Sequence, residues 1–447
     1  MIIYGYNVCS RLGSNSNNNS SQANKPPCKS HLKASSLLSF STYNLHSVWV
    51  NNEGQAYAIG VNNNGQIGGS LPKETIQKDT EIVIQDLNGH TCKFLSAVCG
   101  TYYTLYLVST ENNNIQLIYS YFNHKQLFLD INGRTPQALF GGSENAAAID
   151  SEGGILVITK SVFTSSTSEI KPSFLPNNDK AIKVACCNKF IVALGSSGHV
   201  YESPLSAPGK IIFNEVKDLQ GHTFVDITGT FLHCFAVCKD GRVFGIGNNW
   251  KCKLAMSKET KNVSKFTIVE SLKKYKIVAA FAGYDHSLFK TSDGKILACG
   301  SNANGEILLN NEITGDIVFP PVEMTGNDNV PFCIAGSYVS IMFQDGELPN
   351  NLPNQKIDPN QKLRMHSKSG KEEKVHLSVD EMEKLIELKE KEIERLTLEL
   401  LESRKEIMTL RNKEKRDKLR ISELEKKLFE KDADLPFKEN LIFAGFD

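Results

Sequence analysis

Ala282-Gly283-Tyr284-Asp285-His286-Ser287-Leu288-Phe289-Lys290-Thr291-Ser292-Asp293-Gly294-Lys295-Ile296-Leu297-Ala298-Cys299-Gly300-Ser301-Asn302-Ala303-Asn304-Gly305-Glu306-Ile307 is two short apolar strands joined by a tight Asp-Gly turn, followed by a Gly/Asn loop. Gly294 supplies the positive φ that such hairpin turns require. A closely matching unit runs from His46 through Glu53-Gly54, Tyr57-Ala58-Ile59-Gly60 and Asn62 to Gly68. A third runs from His233 through Asp240-Gly241 and Val243-Phe244-Gly245-Ile246-Gly247 to Asn249.

Weaker copies fill the gaps. Aligned on His286, the seven copies sit at His46, Tyr103, Asn145, Phe190, His233, His286 and Val339. The period is roughly 50 residues, the range of stacked supersecondary repeats. One unit cannot bury its apolar surface alone, so neighbours must stack. Seven four-stranded units suit a closed, all-β, seven-bladed propeller better than an open solenoid. The seventh copy stops after Asp345-Gly346-Glu347-Leu348, lacking its second half. Ile2-Ile3-Tyr4-Gly5-Tyr6-Asn7 resembles that missing half, so the N-terminal strand is expected to complete the last blade and lock the ring.

Gly283-Tyr-Asp-His286-Ser287, Asp293-Gly294 and Gly300-Ser-Asn302-Ala-Asn-Gly305-Glu-Ile resemble the regulator of chromosome condensation repeat, as do His46 to Gly68. The likeness covers roughly 1–348 and is loosest in copies two to four. It implies a seven-bladed β-propeller. Founding members of that family promote nucleotide exchange on the small GTPase Ran and bind chromatin. Many relatives keep the propeller as a scaffold or trafficking regulator, and ubiquitin-ligase relatives carry an added catalytic domain, which is not expected here. Fold therefore leaves function open. The residues on which exchange depends in the founding members have no one-to-one match here, so none is carried over.

The domain reading is a propeller over 1–348, a polar linker over 349–376, a coiled coil over 377–431 and a tail over 432–447. Residues 14–24, Ser-Asn-Ser-Asn-Asn-Asn-Ser-Ser-Gln-Ala-Asn, are expected to form a disordered surface loop. In the coil, Val379, Ile386, Ile393, Leu400, Ile407, Ile421 and Leu428 fall on heptad position a, broken by Glu414. Met382, Leu396, Leu410 and Leu424 fall on d, with Lys389, Ser403 and Asp417 as defects. β-Branched residues at a with Leu at d favour a parallel dimer. Glu399 and Glu406 at g face Arg404 and Arg411 at e of a partner helix, which suits a parallel homodimer.

Lys+Arg and Asp+Glu both number 50, giving no net charge. A protein that grips nucleic acid through phosphates carries a basic excess, so nucleic acid is not expected as a partner. No apolar run reaches membrane-spanning length, and the N-terminus lacks the pattern of a signal peptide. The eleven cysteines form no C-x-x-C pair and are read as reduced thiols in a cytoplasmic protein, with the nucleus as alternative. Cys234, Cys238 and His233 are weighed as a zinc site and set aside, because tetrahedral zinc needs a second ligand pair.

No G-x-x-x-x-G-K-[ST], H-E-x-x-H or G-x-S-x-G motif occurs. The Asn/Gly runs at 61–69 and 301–305 are read as blade connections rather than phosphate loops. His46, His233 and His286 could act as general bases or metal ligands. Their fixed place in the repeat favours a structural role, each imidazole bridging backbone groups inside its own blade. Gly54, Gly60, Gly241, Gly247, Gly283, Gly294 and Gly300 are assigned to turns and close approaches. No cofactor and no catalytic constellation is expected. The functional expectation is a protein-binding scaffold dimerised by its coil through Ile386, Ile393, Leu396, Leu400, Ile407, Leu410, Ile421 and Leu424. The alternative is an exchange factor for a small Ran-like GTPase.

Overall fold

The computed structural model describes residues 2–5, 28–29, 32 and 36–343, apart from 45, 87, 123–125, 160–161, 163–168, 206–210, 308–314, 325–329, 331 and 338. The linker, coil and tail, with all eight coil residues assigned to dimerisation, lie outside the described residues, as do residues 14–24.

Seven antiparallel sheets follow one another, each read here as a blade. Blade 1 is Leu37–Tyr43, His46–Asn51, Ala56–Val61 and Thr75–Ile82. Blade 2 is Lys93–Cys99, Tyr103–Ser109, Ile115–Tyr121 and Leu127–Leu129. Blade 3 has three strands among the described residues, Pro136–Gly141, Ala146–Asp150 and Ile155–Ile158. Blade 4 is Ala181–Cys186, Phe190–Gly195, Val200–Pro204 and Asn214–Glu215. Blade 5 is Phe224–Thr230, His233–Cys238, Val243–Asn248 and Asn262–Ile268. Blade 6 is Ile277–Ala282, His286–Thr291, Ile296–Ser301 and Ile317–Glu323. Blade 7 joins the two ends of the described chain. Phe332–Ala335 and Val339–Phe343 are followed by Ile2–Gly5 and then Cys28–Lys29. Ile2 pairs with Met342 and Gly5 with Val339.

The apolar pattern explains the stacking. Second strands such as Ala146–Asp150 and His233–Cys238 are buried at every position. Alternate side chains of a strand leave on opposite faces. In blade 2, Tyr106 and Val108 pack with Val48 and Ala58 of blade 1. Tyr103, Leu105 and Leu107 pack with Ala146, Ala148 and Leu156 of blade 3. The same division gives seven apolar clusters, one between each pair of successive blades. The closing cluster sets Phe40, Trp49 and Ile59 of blade 1 against Val339, Ile341 and Phe343 of blade 7. The array is a ring.

Because the strands alternate in direction, the turns between first and second strands share one face with the loops between third and fourth strands. We call it the upper face. The lower face carries the turns between second and third strands and the connections between blades.

Polar seams stitch neighbouring blades. On the upper side, His46 Nε2 lies 3.1 Å from Thr104 Oγ1, His233 Nε2 3.2 Å from Ser287 Oγ and His286 Nε2 3.0 Å from Ser340 Oγ. Each imidazole therefore reaches the next blade's second strand. This corrects the expectation of bridges within a blade: side chains at that position project into the interblade gap. Tyr103 and Asn145 hold the same position and the same role. The Tyr103 hydroxyl donates toward Gly142 O and Asn145 O, at 3.0 and 2.8 Å, and Asn145 Nδ2 donates to Cys187 O at 3.2 Å.

Around the axis, inner strands are joined by side chains that accept backbone amides of the next blade. Ser39 and Ser41 Oγ accept from Ala97 N and Cys99 N, and Asp226 and Thr228 accept from Ala280 N and Ala282 N.

On the lower side, carbonyls of turn glycines accept the next blade's first amides. Phe94 N donates to Gly54 O at 2.9 Å and Ile277 N to Gly241 O at 3.2 Å. Gly54 and Gly241 have φ of 81° and 94°, where any Cβ is strained. At Gly241 an added Cβ would also come within 2.9 Å of Lys276 Cα, which is backbone. At Gly54 the nearest atoms belong to the flexible Lys93 side chain. Gly241→Ala is therefore expected to destabilise by about 2–3 kcal/mol, and Gly54→Ala by roughly 1–2 kcal/mol. Urea denaturation of the two variants checks the order.

Burial holds His286 neutral, with its pKa pulled down to about 4, and holds His233 well below its ordinary value. Between about pH 6.5 and 4 the unfolded chain binds a proton at these positions that the folded chain does not. Stability therefore falls as pH falls through that window, by up to about 3 kcal/mol for His286. Thermal melts between pH 7 and 5 should show this slope, and His286→Asn should flatten it. An unchanged slope would show that His286 does not titrate with unfolding.

Candidate functional site

The first strands of all seven blades line one axial cavity of about 170 Å³. Inside it, the ammonium of Lys183 pairs with Asp226 across blades 4 and 5, both side chains buried. The Tyr43 hydroxyl accepts from Thr230 Oγ1 at 3.0 Å, linking blade 1 to blade 5 across the ring, and burial pushes the phenol well up. The cavity is lined and braced by paired groups.

The repeat histidines have no catalytic geometry. They are fully buried and engaged in the upper seam. The three residues weighed for zinc do not converge. His233 and Cys234 are successive in an extended strand and point to opposite faces. Cys234 and Cys238 are four residues apart on that strand, roughly 13 Å at its rise. Cys238 Sγ instead faces Thr223 O. Among the described residues no group of three His, Cys, Asp or Glu is placed to hold a metal ion. Burial pushes the Cys238 thiol up, and that of Cys99 to about 12.

The remaining repeat glycines are structural as well. Gly60, Gly247 and Gly300 lie at the ends of third strands; Gly247 and Gly300 pass against the turn between first and second strands, and Gly60 pairs with His46 at φ 107°. Gly283 begins such a turn, against Gly336 O of blade 7, and Gly294 closes the Asp-Gly turn of blade 6.

One region of the upper face differs from the rest. Phe231, Lys251, Cys252 and Ala255 have positive φ, from 43° to 62°. Every other positive-φ residue outside glycine, among the described residues, is Asn. Such backbone costs of order 1–2 kcal/mol per residue and gathers at functional sites. These four lie at the junction of blades 5 and 6. The Phe231 ring stacks on Tyr284 at 4.4 Å between centroids. Trp250, beside them in sequence with Lys251, is 64% exposed.

Three side chains hold this strained loop. Lys253, almost fully buried, donates to Asp285 Oδ1 and Tyr284 O, both at 3.0 Å. Burial lowers the pKa of its ammonium, and Asp285 opposes the shift. Lys251 Nζ lies 3.3 Å from Asp285 Oδ2. Asn249 ties the loop internally: its Nδ2 donates to Met256 O, Ser257 O and Thr260 O, and its Oδ1 accepts from Leu254 N. Asn62 and Asn302 accept likewise from Ile67 N and Ile307 N. The sequence reading passed over these three asparagines as loop composition, although each follows a strand-ending glycine by two residues.

The arrangement offers aromatic faces and a positioned cation on a rigid base. It has the ingredients of a binding surface: Trp and Tyr are enriched among the residues that dominate interface energetics.

The model of the regulator of chromosome condensation (RCC1) repeat matches residues 277–306, which is blade 6 from its first strand through its Gly/Asn loop. A probable E3 ubiquitin-protein ligase, HERC6 of Homo sapiens, is 27% identical over 143 residues, covering 29% of this chain and 14% of that protein. The chain thus aligns with only about one seventh of that relative's length. The human WBSCR16 structure superposes with a TM-score of 0.58 at 11% identity, covering 76% of this chain and 97% of that one. Prp20p from Saccharomyces cerevisiae, whose structure was reported with its binding to Gsp1p and histones, gives 0.57 at 13% identity, covering 76% and 90%. At these identities the superpositions speak for fold alone. Blade 6 thus carries an RCC1 repeat, set in a ring of seven blades whose fold is similar to that of RCC1-like propellers.

Proposed function

We propose that this chain is a non-catalytic protein-interaction platform whose ring presents the upper face at blades 5 and 6 to protein partners. The observation that carries the reading is the strained, braced surface of Phe231, Trp250 and Tyr284. A large indole held in water on a loop fixed by a buried ion pair fits a binding anchor better than a structural residue. We propose further that the heptads over 377–431 pair two rings as a parallel homodimer, through Ile386, Ile393, Leu396, Leu400, Ile407, Leu410, Ile421 and Leu424. Pairing would add avidity for partners that are themselves repeated. Reduced, buried thiols accord with action in the cytoplasm, or in the nucleus.

A second reading is guanine-nucleotide exchange on a small GTPase. It is favoured by the fold shared with Prp20p, which binds Gsp1p. Release of a fluorescent guanine nucleotide from a panel of small GTPases separates the two. No acceleration by the full chain is expected, and acceleration of any member would replace the scaffold reading.

Affinity capture with the full chain, compared with Trp250→Ala, tests the surface. Specific partners should fall about tenfold with the variant, whose melting temperature should hold because the indole is exposed. A partner set indifferent to Trp250 would remove the upper face as the binding surface. Light scattering on the full chain and on a chain ending near 370 should give a dimer and a monomer. Equal masses per chain would remove the role proposed for the coil.

A further inference from the structure

The lower face carries a second surface. The inner strands of blades 1 to 6 each contain a bulge at the same place, and in blades 4, 5 and 6 the extra residues are Ile182, Val225 and Val278. A bulged residue falls outside the alternation of its strand, so it can turn away from the packed faces. These three are 48%, 45% and 40% exposed. Their neighbours show that they adjoin one another. Lys183, next to Ile182, pairs with Asp226, next to Val225. Asp226 Oδ2 accepts from the amide of Ala280, two residues beyond Val278, at 3.1 Å. Lys183, Ile227 and Phe281 line the axial cavity, so the aliphatic strip sits at its lower mouth.

An exposed lysine flanks each aliphatic residue. Lys180 precedes Ile182 by two residues and Lys276 precedes Val278 by two. Lys239 donates its amide to the carbonyl of Thr223, two residues before Val225, at 2.8 Å. The chain at Lys180 and Lys276 is seated on turn glycines of the preceding blades. A Cβ added at Gly153 would meet Lys180 Cβ at 2.8 Å, and one at Gly241 would meet Lys276 Cγ at 2.7 Å. Seated stems lower the entropy lost when their ammonium groups are engaged. Among the described residues none of the three lysines is in an ion pair.

We propose that this strip binds a peptide segment of a partner protein that carries aliphatic side chains beside carboxylates. The aliphatic side chains would cover Ile182, Val225 and Val278, and the carboxylates would meet Lys180, Lys239 and Lys276. A nucleic-acid backbone would engage the lysines and leave the strip in water. A broad anionic membrane would bring phosphates against exposed Asp218, Asp240 and Asp293, which lie in turns and connections of the same face.

The test uses the full chain and a short fluorescent peptide of Leu and Glu. The controls are oligoglutamate, the Leu/Lys counterpart, phosphatidylserine vesicles and a DNA oligonucleotide. The Leu/Glu peptide should bind best. The Lys180→Glu/Lys276→Glu and Ile182→Ser/Val225→Ser variants should each weaken it about tenfold, and Trp250→Ala should leave it unchanged. Circular dichroism melts confirm folding, and the exposed lysine pair serves if the aliphatic variant is unstable. No binding of the Leu/Glu peptide, equal binding of oligoglutamate, tighter binding of vesicles or DNA, or equal loss with Trp250→Ala would each overturn the proposal. Because Trp250 lies on the opposite face, failure here leaves the upper-face reading standing.

Discussion

Burial of each second strand on both faces is the constraint from which the rest of this ring follows. A strand such as Tyr103–Ser109 sends Leu105 and Leu107 one way and Tyr106 and Val108 the other. No single blade can cover both sets, because its own strands lie in the same sheet. Each blade therefore requires a neighbour on either side, and only a closed ring supplies one to every blade. Closure falls to Phe40 and Trp49 packing on Phe343, with Ile2–Gly5 paired to the strand that bears Phe343.

Apolar packing alone is non-directional, so the blades need polar contacts to set their register. They have them at three levels: side chains of the His286 class above, hydroxyl and carboxylate acceptors around the axis, and turn-glycine carbonyls below. The levels are redundant, which accounts for the unevenness of the repeats. Blade 2 has no glycine in its turn at Thr110–Asn114, yet Tyr103 makes more than one contact with blade 3. Where one clamp is weak another is present, and the sequence is free to drift at that position.

This redundancy also separates structure from function. The repeat histidines, several cysteines and most buried charges of the ring are occupied in holding blades together, and burial keeps His233 and His286 neutral. Features in excess of that need occur in two places. Above, strained backbone and an exposed indole gather at blades 5 and 6. Below, exposed aliphatic residues and seated lysines border the cavity mouth. The blades between the two surfaces are stiff, so each is presented on a rigid frame at little conformational cost.

The repeat, its seven copies and the position equivalent to His286 were legible in the sequence, because hairpins are local and Asp-Gly or Glu-Gly turns carry their own conformational signature. The all-β character followed from the same alternation. The destination of each side chain was not legible. His286 meets Ser340 and Lys183 meets Asp226 across blade boundaries, at separations of 54 and 43 residues. Such pairs depend on how two sheets stack, and no local pattern encodes that. The same holds for both candidate surfaces. Phe231 stacks on Tyr284, and Ile182 joins Val225 and Val278, only once the blades are side by side. The amino-acid sequence by itself determined that seven hairpin units would form and roughly where each begins. The tertiary structure decided which residues those units bring together, because burial on two faces can be satisfied only between blades.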